Sequence, residues 1–214
     1  MDRICLHGLC PEIFGSAALA GSDVWRKNFT FEKGKSYLIE AASGTGKSSL
    51  CSYLLGYRDD YQGQLLFDDC DARTLKIGEW ADLRRYHVSY LFQDLRLFPE
   101  LTALENIELK NRLTRHKSRR QLEEWLDALG IGDKRDTPVG KMSFGQQQRV
   151  AMLRALSQPF DFIIADEPVS HLDESNIERM KHLLMQEMAE QGAGAIVTSI
   201  GRHWDMSYDA ILHL

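Results

Sequence analysis

The residues best suited to chemistry lie in the stretch Glu40-Ala-Ala-Ser-Gly-Thr-Gly-Lys-Ser-Ser49. Gly44 and Gly46 let the backbone curl so that successive amides point inward at an anion. A helix starting behind them adds its own free N–H groups and its dipole. Lys47 has the length to reach the β- and γ-phosphates of a nucleotide, and the Ser48 hydroxyl suits Mg²⁺. The expected phosphate-binding residues are thus Ala42, Ser43, Gly44, Thr45, Gly46, Lys47, Ser48 and Ser49. One position departs from the pattern G-x-x-x-x-G-K-[ST], because Ala41 stands at its first glycine. Alanine costs little there if the residue is extended, and much if it needs positive φ. Further along, Asp166 and Glu167 close the apolar run Phe162-Ile-Ile-Ala165. Two acids at the end of a buried strand are unfavourable unless they serve a function. Asp166 suits the Mg²⁺ shell, and Glu167 suits positioning of a water for attack on a γ-phosphate. Ser143, at the head of Ser143-Phe-Gly-Gln-Gln-Gln-Arg149, is a good N-cap, and the amides behind it offer a second anion site.

The elements that must hold these groups follow from periodicity. Tyr37-Leu-Ile39 reads as a strand and Ser49–Leu55 as a helix, which places the glycine loop between strand and helix. Val24–Phe31 alternates like a strand before Glu32-Lys-Gly34 turns the chain. Tyr61–Phe67 and His87–Phe92 are further strands. The second ends at Gln93, where a sheet presents residues to a nucleotide. Asp68, Asp69 and Asp71 read as a solvated turn. From Leu95 to Pro138 the character is helical. Thr102 and Glu105 form a capping box, and Ser118–Leu129 puts Leu122, Trp125, Leu126 and Leu129 on one face. The basic stretch Lys110–Arg120 reads as a solvated helix face. Glu174–Gln191 is amphipathic and stops at Gly192-Ala-Gly194. The strands Ala195–Thr198 and Ala210–Leu212 follow. This alternation predicts a largely parallel sheet covered on both faces. Phe14 and Trp25 are each either a face for an adenine ring or ordinary core and edge aromatics.

The whole chain narrows the classes. Its 214 residues and net charge of −5 suit one domain, or a domain carrying a large insertion. Mild acidity weighs against a large nucleic-acid face, so no nucleic-acid partner is expected. No apolar run approaches the roughly 18 to 20 residues that cross a bilayer. The N-terminus lacks the pattern of a signal peptide. Both predict a cytoplasmic chain whose membrane role requires a partner. The four cysteines, Cys5, Cys10, Cys51 and Cys70, read as free thiols. Cys5, His7 and Cys10 lack a second ligand pair for a tetrahedral metal site.

Taken in order, the motifs resemble those of the nucleotide-binding subunit of ATP-binding cassette (ABC) transporters over nearly the whole length. Ala41–Ser48 resembles the Walker A loop and Phe162–Asp166 Walker B, with Glu167 at the family's catalytic carboxylate. Gln93 stands at the Q-loop glutamine, which the resemblance implies touches Mg²⁺ and senses the γ-phosphate. Met142-Ser-Phe-Gly-Gln146 resembles the signature Leu-Ser-Gly-Gly-Gln, and Ser170-His-Leu-Asp173 the D-loop. Leu91-Phe-Gln and Leu97–Asn106 are similar to the branch serving lipoprotein release, macrolide export and cell division. The resemblance implies two cassettes packed head to tail, as a homodimer or heterodimer. Ser143, Gly145 and Gln146 of one would then bind ATP held by Lys47 of the other. An integral membrane permease would be a separate polypeptide. Phe144 departs at the first signature glycine, and Ser199 holds the place of the switch histidine, with His203 nearby.

The expected architecture is an α/β P-loop NTPase with a mainly parallel sheet core, an N-terminal antiparallel β region and an inserted α-helical subdomain. One cassette would span 1–214, with 1–93 and 141–214 as the RecA-like core and β region, and 94–140 as the helical subdomain. The expected function is MgATP binding and hydrolysis driving a permease, with catalytic residues Glu167, Gln93 and Lys47, metal-holding residues Ser48, Gln93 and Asp166, and Phe14 at the adenine. The alternative is a slow or non-hydrolysing ATP-binding module that regulates a membrane complex; Ala41, Phe144 and Ser199 favour it. A small-molecule P-loop kinase gives no reason for Ser143–Arg149. A soluble ABC protein of translation or DNA repair would show two cassettes or a long coiled coil.

Overall fold

The computed structural model describes residues 1–14, 21–42, 44–169 and 172–214. Among the described residues two sheets form. The larger contains five parallel strands in the order β6 (Val88–Leu91), β7 (Phe162–Asp166), β8 (Gly194–Ser199), β3 (Ser36–Glu40) and β9 (Ala210–His213). The smaller is antiparallel, in the order β2 (Asn28–Glu32), β1 (Arg3–Pro11), β4 (Tyr61–Phe67) and β5 (Cys70–Asp71).

The continuous apolar strands are explained by helices or sheet on both faces. On β7, Ile163 and Ala165 face one core, while Phe162 and Ile164 face the other. β8 splits likewise between Ala195 and Val197 on one side and Ile196 on the other, and β3 between Leu38 and the pair Tyr37 and Ile39. One core is shared with α3 (Ala103–Asn111), α4 (Arg119–Ala128), α5 (Phe144–Leu156) and α6 (Glu174–Gln191). The other is shared with α1 (Lys47–Leu54) and the antiparallel sheet, and a short α2 (Ile77–Asp82) packs Trp80 against it.

Helix starts follow side-chain chemistry. Thr102 and Glu105 close a capping box on α3, Ser118 and Gln121 on α4, and Ser143 and Gln146 on α5, each supplying partners for orphan backbone N–H groups. α6 covers Glu174–Gln191 and stops at Gly192 in the left-handed region.

Two stretches differ from the periodic reading. The alternating run from Val24 begins as a turn: the Ser22 hydroxyl accepts from the amides of Val24 and Trp25, and Arg26 adopts φ +58°, so the strand starts only at Asn28. His87 closes a π-helical turn, Leu83–His87, with its ring beside Asp161, and the strand starts at Val88. The acidic turn is structural. Asp68 accepts from the amides of Asp2 and Arg3, Asp69 pairs with Arg3, and Asp71 caps the next turn. All four cysteines are free thiols.

Candidate nucleotide-binding site

The site forms where β3, β6, β7 and β8 end together at one edge of the parallel sheet, the side on which α/β sheets bind ligands. The first element there is the loop into α1. Gly44 and Gly46 take φ of +86° and +99°, a region open to glycine. Space adds a second demand at Gly46. A Cβ there would come within 2.7 Å of the Phe14 ring and 3.0 Å of Trp25. Trp25 is buried, and its indole N–H donates to the Thr45 carbonyl at 2.8 Å. It therefore braces the loop from behind and offers no open face to a base. Phe14 packs edge-on to Trp25 and lines the mouth of the loop. The Thr45 hydroxyl bonds to the Ala42 carbonyl and tightens the turn. Ala41 is not among the residues with positive φ. It extends β3 by donating its amide to the Ser199 carbonyl at 2.9 Å, so alanine fits without strain. Ser43 lies outside the described residues, as do Ser170 and His171 of the expected D-loop.

Two cavities share Ser48 and Gln93. One, of about 350 Å³, is lined by Phe14, Ala42, Gly44, Gly46, Lys47, Ser48, Ser49, Gln93, Glu167 and Ile200. The other, of about 440 Å³, brings Ser48 and Gln93 together with Asp166. A serine hydroxyl, a glutamine amide and a carboxylate are hard oxygen donors, the set that Mg²⁺ takes, so the residues present fit that ion. Lys47 is 7% exposed, and its ammonium lies 3.3 Å from Asp166 Oδ1 and in contact with Glu167 Oε1. Two acids thus face the cation that heads α1. Glu167 sits at φ +48°, with its amide donating to the Thr198 carbonyl. That backbone is uncommon for a non-glycine residue and recurs at functional sites.

Asp166 has two hydroxyl partners that periodicity alone does not reveal. Thr198 donates to Oδ1 at 2.5 Å and Tyr90 to Oδ2 at 3.1 Å. Cys51 lines the same cavity, but burial and the nearby Asp166 push its thiol up to about 12, so it stays protonated and unreactive. Beyond Gln93, Leu95 and Arg96 both take positive φ, and the Arg154 guanidinium of α5 holds their carbonyls at 2.6 Å each.

The expected signature residues stand elsewhere. Ser143, Gly145 and Gln146 line neither cavity. The Ser143 hydroxyl caps α5, and the Gln146 side chain accepts from the Ser143 amide at 2.9 Å. Phe144, 45% exposed, occupies the first turn of the helix beside them. Ser199 is buried. Its hydroxyl donates to the Arg202 carbonyl and accepts from the Gly201 amide, both at 2.9 Å, closing a tight turn. His203 packs edge-on to Tyr208 with Nδ1 beside the Trp204 carbonyl, and lines neither cavity.

Residues 25–170 match the family model described as ABC transporter. The chain belongs to the ABC transporter ATP-binding family. This cassette is 35% identical over 193 residues to the macrolide export ATP-binding/permease protein MacB of Shewanella sp. (strain ANA-3), covering 87% of the chain and 29% of MacB. It is 37% identical over 193 residues to an uncharacterized ABC transporter ATP-binding protein of Mycobacterium tuberculosis, covering 89% of the chain and 58% of that relative. The cassette thus spans under a third of the first relative and somewhat over half of the second. Among solved structures, the dimeric bacterial ABC transporter cassette MJ0796 superposes with a TM-score of 0.78 at 28% identity, covering 92% of this chain and 88% of that one. The dimeric post-hydrolysis state of MJ0796 bound to ADP and Pi gives 0.77 at the same identity, covering 92% and 87%. These neighbours share the α/β P-loop cassette architecture described above. No helix among the described residues is long and apolar enough to cross a membrane.

Proposed function

We propose that this cassette binds and hydrolyses MgATP between two subunits packed head to tail and thereby drives a membrane permease. The observation that carries the proposal is the convergence of Lys47, Ser48, Gln93, Asp166 and Glu167 on two joined cavities at one sheet edge. In this reading the amides behind Gly44 and Gly46 hold the phosphates, and Lys47 leaves its acids to meet the β- and γ-oxygens. Ser48, Gln93 and Asp166 would hold Mg²⁺, which neutralises charge developing on the phosphates. Glu167 orients the attacking water and accepts its proton. Phe14 stacks on the adenine. Ser143, Gly145 and Gln146 complete the site of the partner cassette, in keeping with their lining neither cavity of their own chain.

The segment 94–140 would form the helical subdomain that passes the motion to a separate permease, keeping the cassette at the inner membrane face. Support comes from the surface beside the Gln93 loop. There Phe98 and Leu109 are exposed next to Arg96, Lys110 and Arg154. A second reading, a slow or non-hydrolysing regulatory module, is favoured by Ser199, whose hydroxyl is committed to its own turn.

Phosphate release by the purified protein, with its permease where one is required, is compared with that of Glu167→Gln. The motor reading predicts turnover in the wild type and near-complete loss in Glu167→Gln, with ATP binding retained and an ATP-dependent dimer accumulating by light scattering. Lys47→Ala loses nucleotide binding itself. Equal inactivity of wild type and Glu167→Gln, with ATP bound by both, selects the regulatory module.

A further inference from the structure

Asp166 is 6% exposed, and a carboxylate so enclosed needs hydrogen-bond donors. They come from the strands on either side. Thr198 on β8 pairs with Asp166 in register and donates directly across to Oδ1. Tyr90 on β6 lies opposite Ile164, two residues back along β7, and its phenol reaches forward to Oδ2. Two residues of strand span about 6.6 Å. A serine or threonine at position 90 is too short for that gap, and phenylalanine has the length without the donor. The Tyr90 ring is steadied by Phe92, edge-on at a centroid distance of 4.4 Å, immediately before Gln93.

We propose that Tyr90 is a positioning residue for the divalent cation of the bound nucleotide, because together with Thr198 it clamps both oxygens of Asp166 and fixes the carboxylate plane. The inference rests on the reading of Asp166 as a metal-holding group. One oxygen held by one hydroxyl leaves a carboxylate free to swing; two oxygens held from opposite flanks do not. Oδ1 also meets the Lys47 ammonium at 3.3 Å, a partner that in this reading turns to the phosphates once nucleotide is bound, and Asp166 lines one cavity with Ser48, Gln93 and Tyr90. Partners of this kind orient metal ligands and are felt in metal affinity before they are felt in the fold.

The test uses Tyr90→Phe, which keeps the ring and its contact with Phe92. Binding of a fluorescent ATP analogue is measured first in EDTA and then in a Mg²⁺ titration, with Mn²⁺ binding followed separately by electron paramagnetic resonance. The expected result is a melting temperature lowered by no more than a few degrees and an unchanged metal-free affinity, with the Mg²⁺ midpoint raised about 10- to 100-fold and Mn²⁺ bound correspondingly more weakly. Thr198→Val, also close to isosteric, shifts the midpoint in the same direction. An unchanged midpoint in Tyr90→Phe overturns the clamp and leaves the nucleotide reading intact. Equal loss of metal-free and metal-supported binding also overturns it, since that marks a purely structural tyrosine. A wild-type protein whose nucleotide binding ignores Mg²⁺ overturns both the clamp and the metal-site reading beneath it.

Discussion

Gly46 and Ala41 bracket the phosphate loop, and their backbones make opposite demands. Gly46 combines φ +99° with aromatic carbons at 2.7 and 3.0 Å from any added Cβ. Gly46→Ala must therefore strain the backbone and displace Phe14 and Trp25. A fall of at least tenfold in nucleotide affinity is expected in a binding titration, about 1.4 kcal/mol or more. Ala41 has no positive φ and is bonded to β8, so Ala41→Gly should leave affinity within about twofold while lowering stability by about 0.5–1 kcal/mol through chain entropy. If Ala41→Gly strengthens nucleotide binding strongly, the alanine is a functional lesion after all. Local sequence revealed Lys47, Ser48, Asp166 and Glu167, because each sits within a few residues of its own motif. It could not reveal Trp25, Tyr90, Thr198 or Arg154. Their roles arise from register and packing between segments 20 to 76 positions apart.

Among the elements, the helices were the most legible. Capping boxes at Thr102, Ser118 and Ser143 and the stripe of α6 are written in side chains three or four residues apart. The antiparallel order β2-β1-β4-β5, and the insertion of β3 between β8 and β9, are not, since pairing partners lie far apart in the chain. The basic stretch that begins in the last turn of α3 also has a different meaning at its first residue. Lys110 is half-buried rather than fully solvated: burial first, then Arg154, Arg84 and Arg85, pull its ammonium down to about 8 from an ordinary 10.5. Between those values the unfolded chain holds more protons, so folding stability rises with pH across that window. Lys110→Met should be more stable than wild type at pH 7, and the advantage should shrink as pH climbs from about 8 to 10, as read from urea midpoints. A pH-independent difference between the two proteins would place the charge in solvent.

At the scale of the whole molecule, the two groups of residues that the proposal assigns to one composite site do not share a cavity within a single chain. Lys47 and Glu167 face one cavity, and Ser143 heads a helix that lines neither. Head-to-tail pairing makes a prediction about mixtures. Lys47→Ala and Ser143→Arg chains should each fail alone. A mixed dimer restores one intact site, from the Lys47 of one chain and the Ser143 of the other. An equimolar mixture should recover phosphate release to roughly a quarter of wild type, since about half the dimers are mixed and each has one good site. No recovery would mean that each chain carries its own complete centre.

The turn after β8 limits what position 199 can hold. Ser199 is buried, and its hydroxyl ties the backbone at Gly201 and Arg202, whose guanidinium in turn reaches the Leu172 carbonyl and Glu174 at the start of α6. An imidazole at position 199 would lose both turn bonds and lack room in a closed corner. Placing a histidine at 199 is therefore not one substitution but a rebuilding of the loop, from Gly201 to the contacts of Arg202 with Leu172 and Glu174.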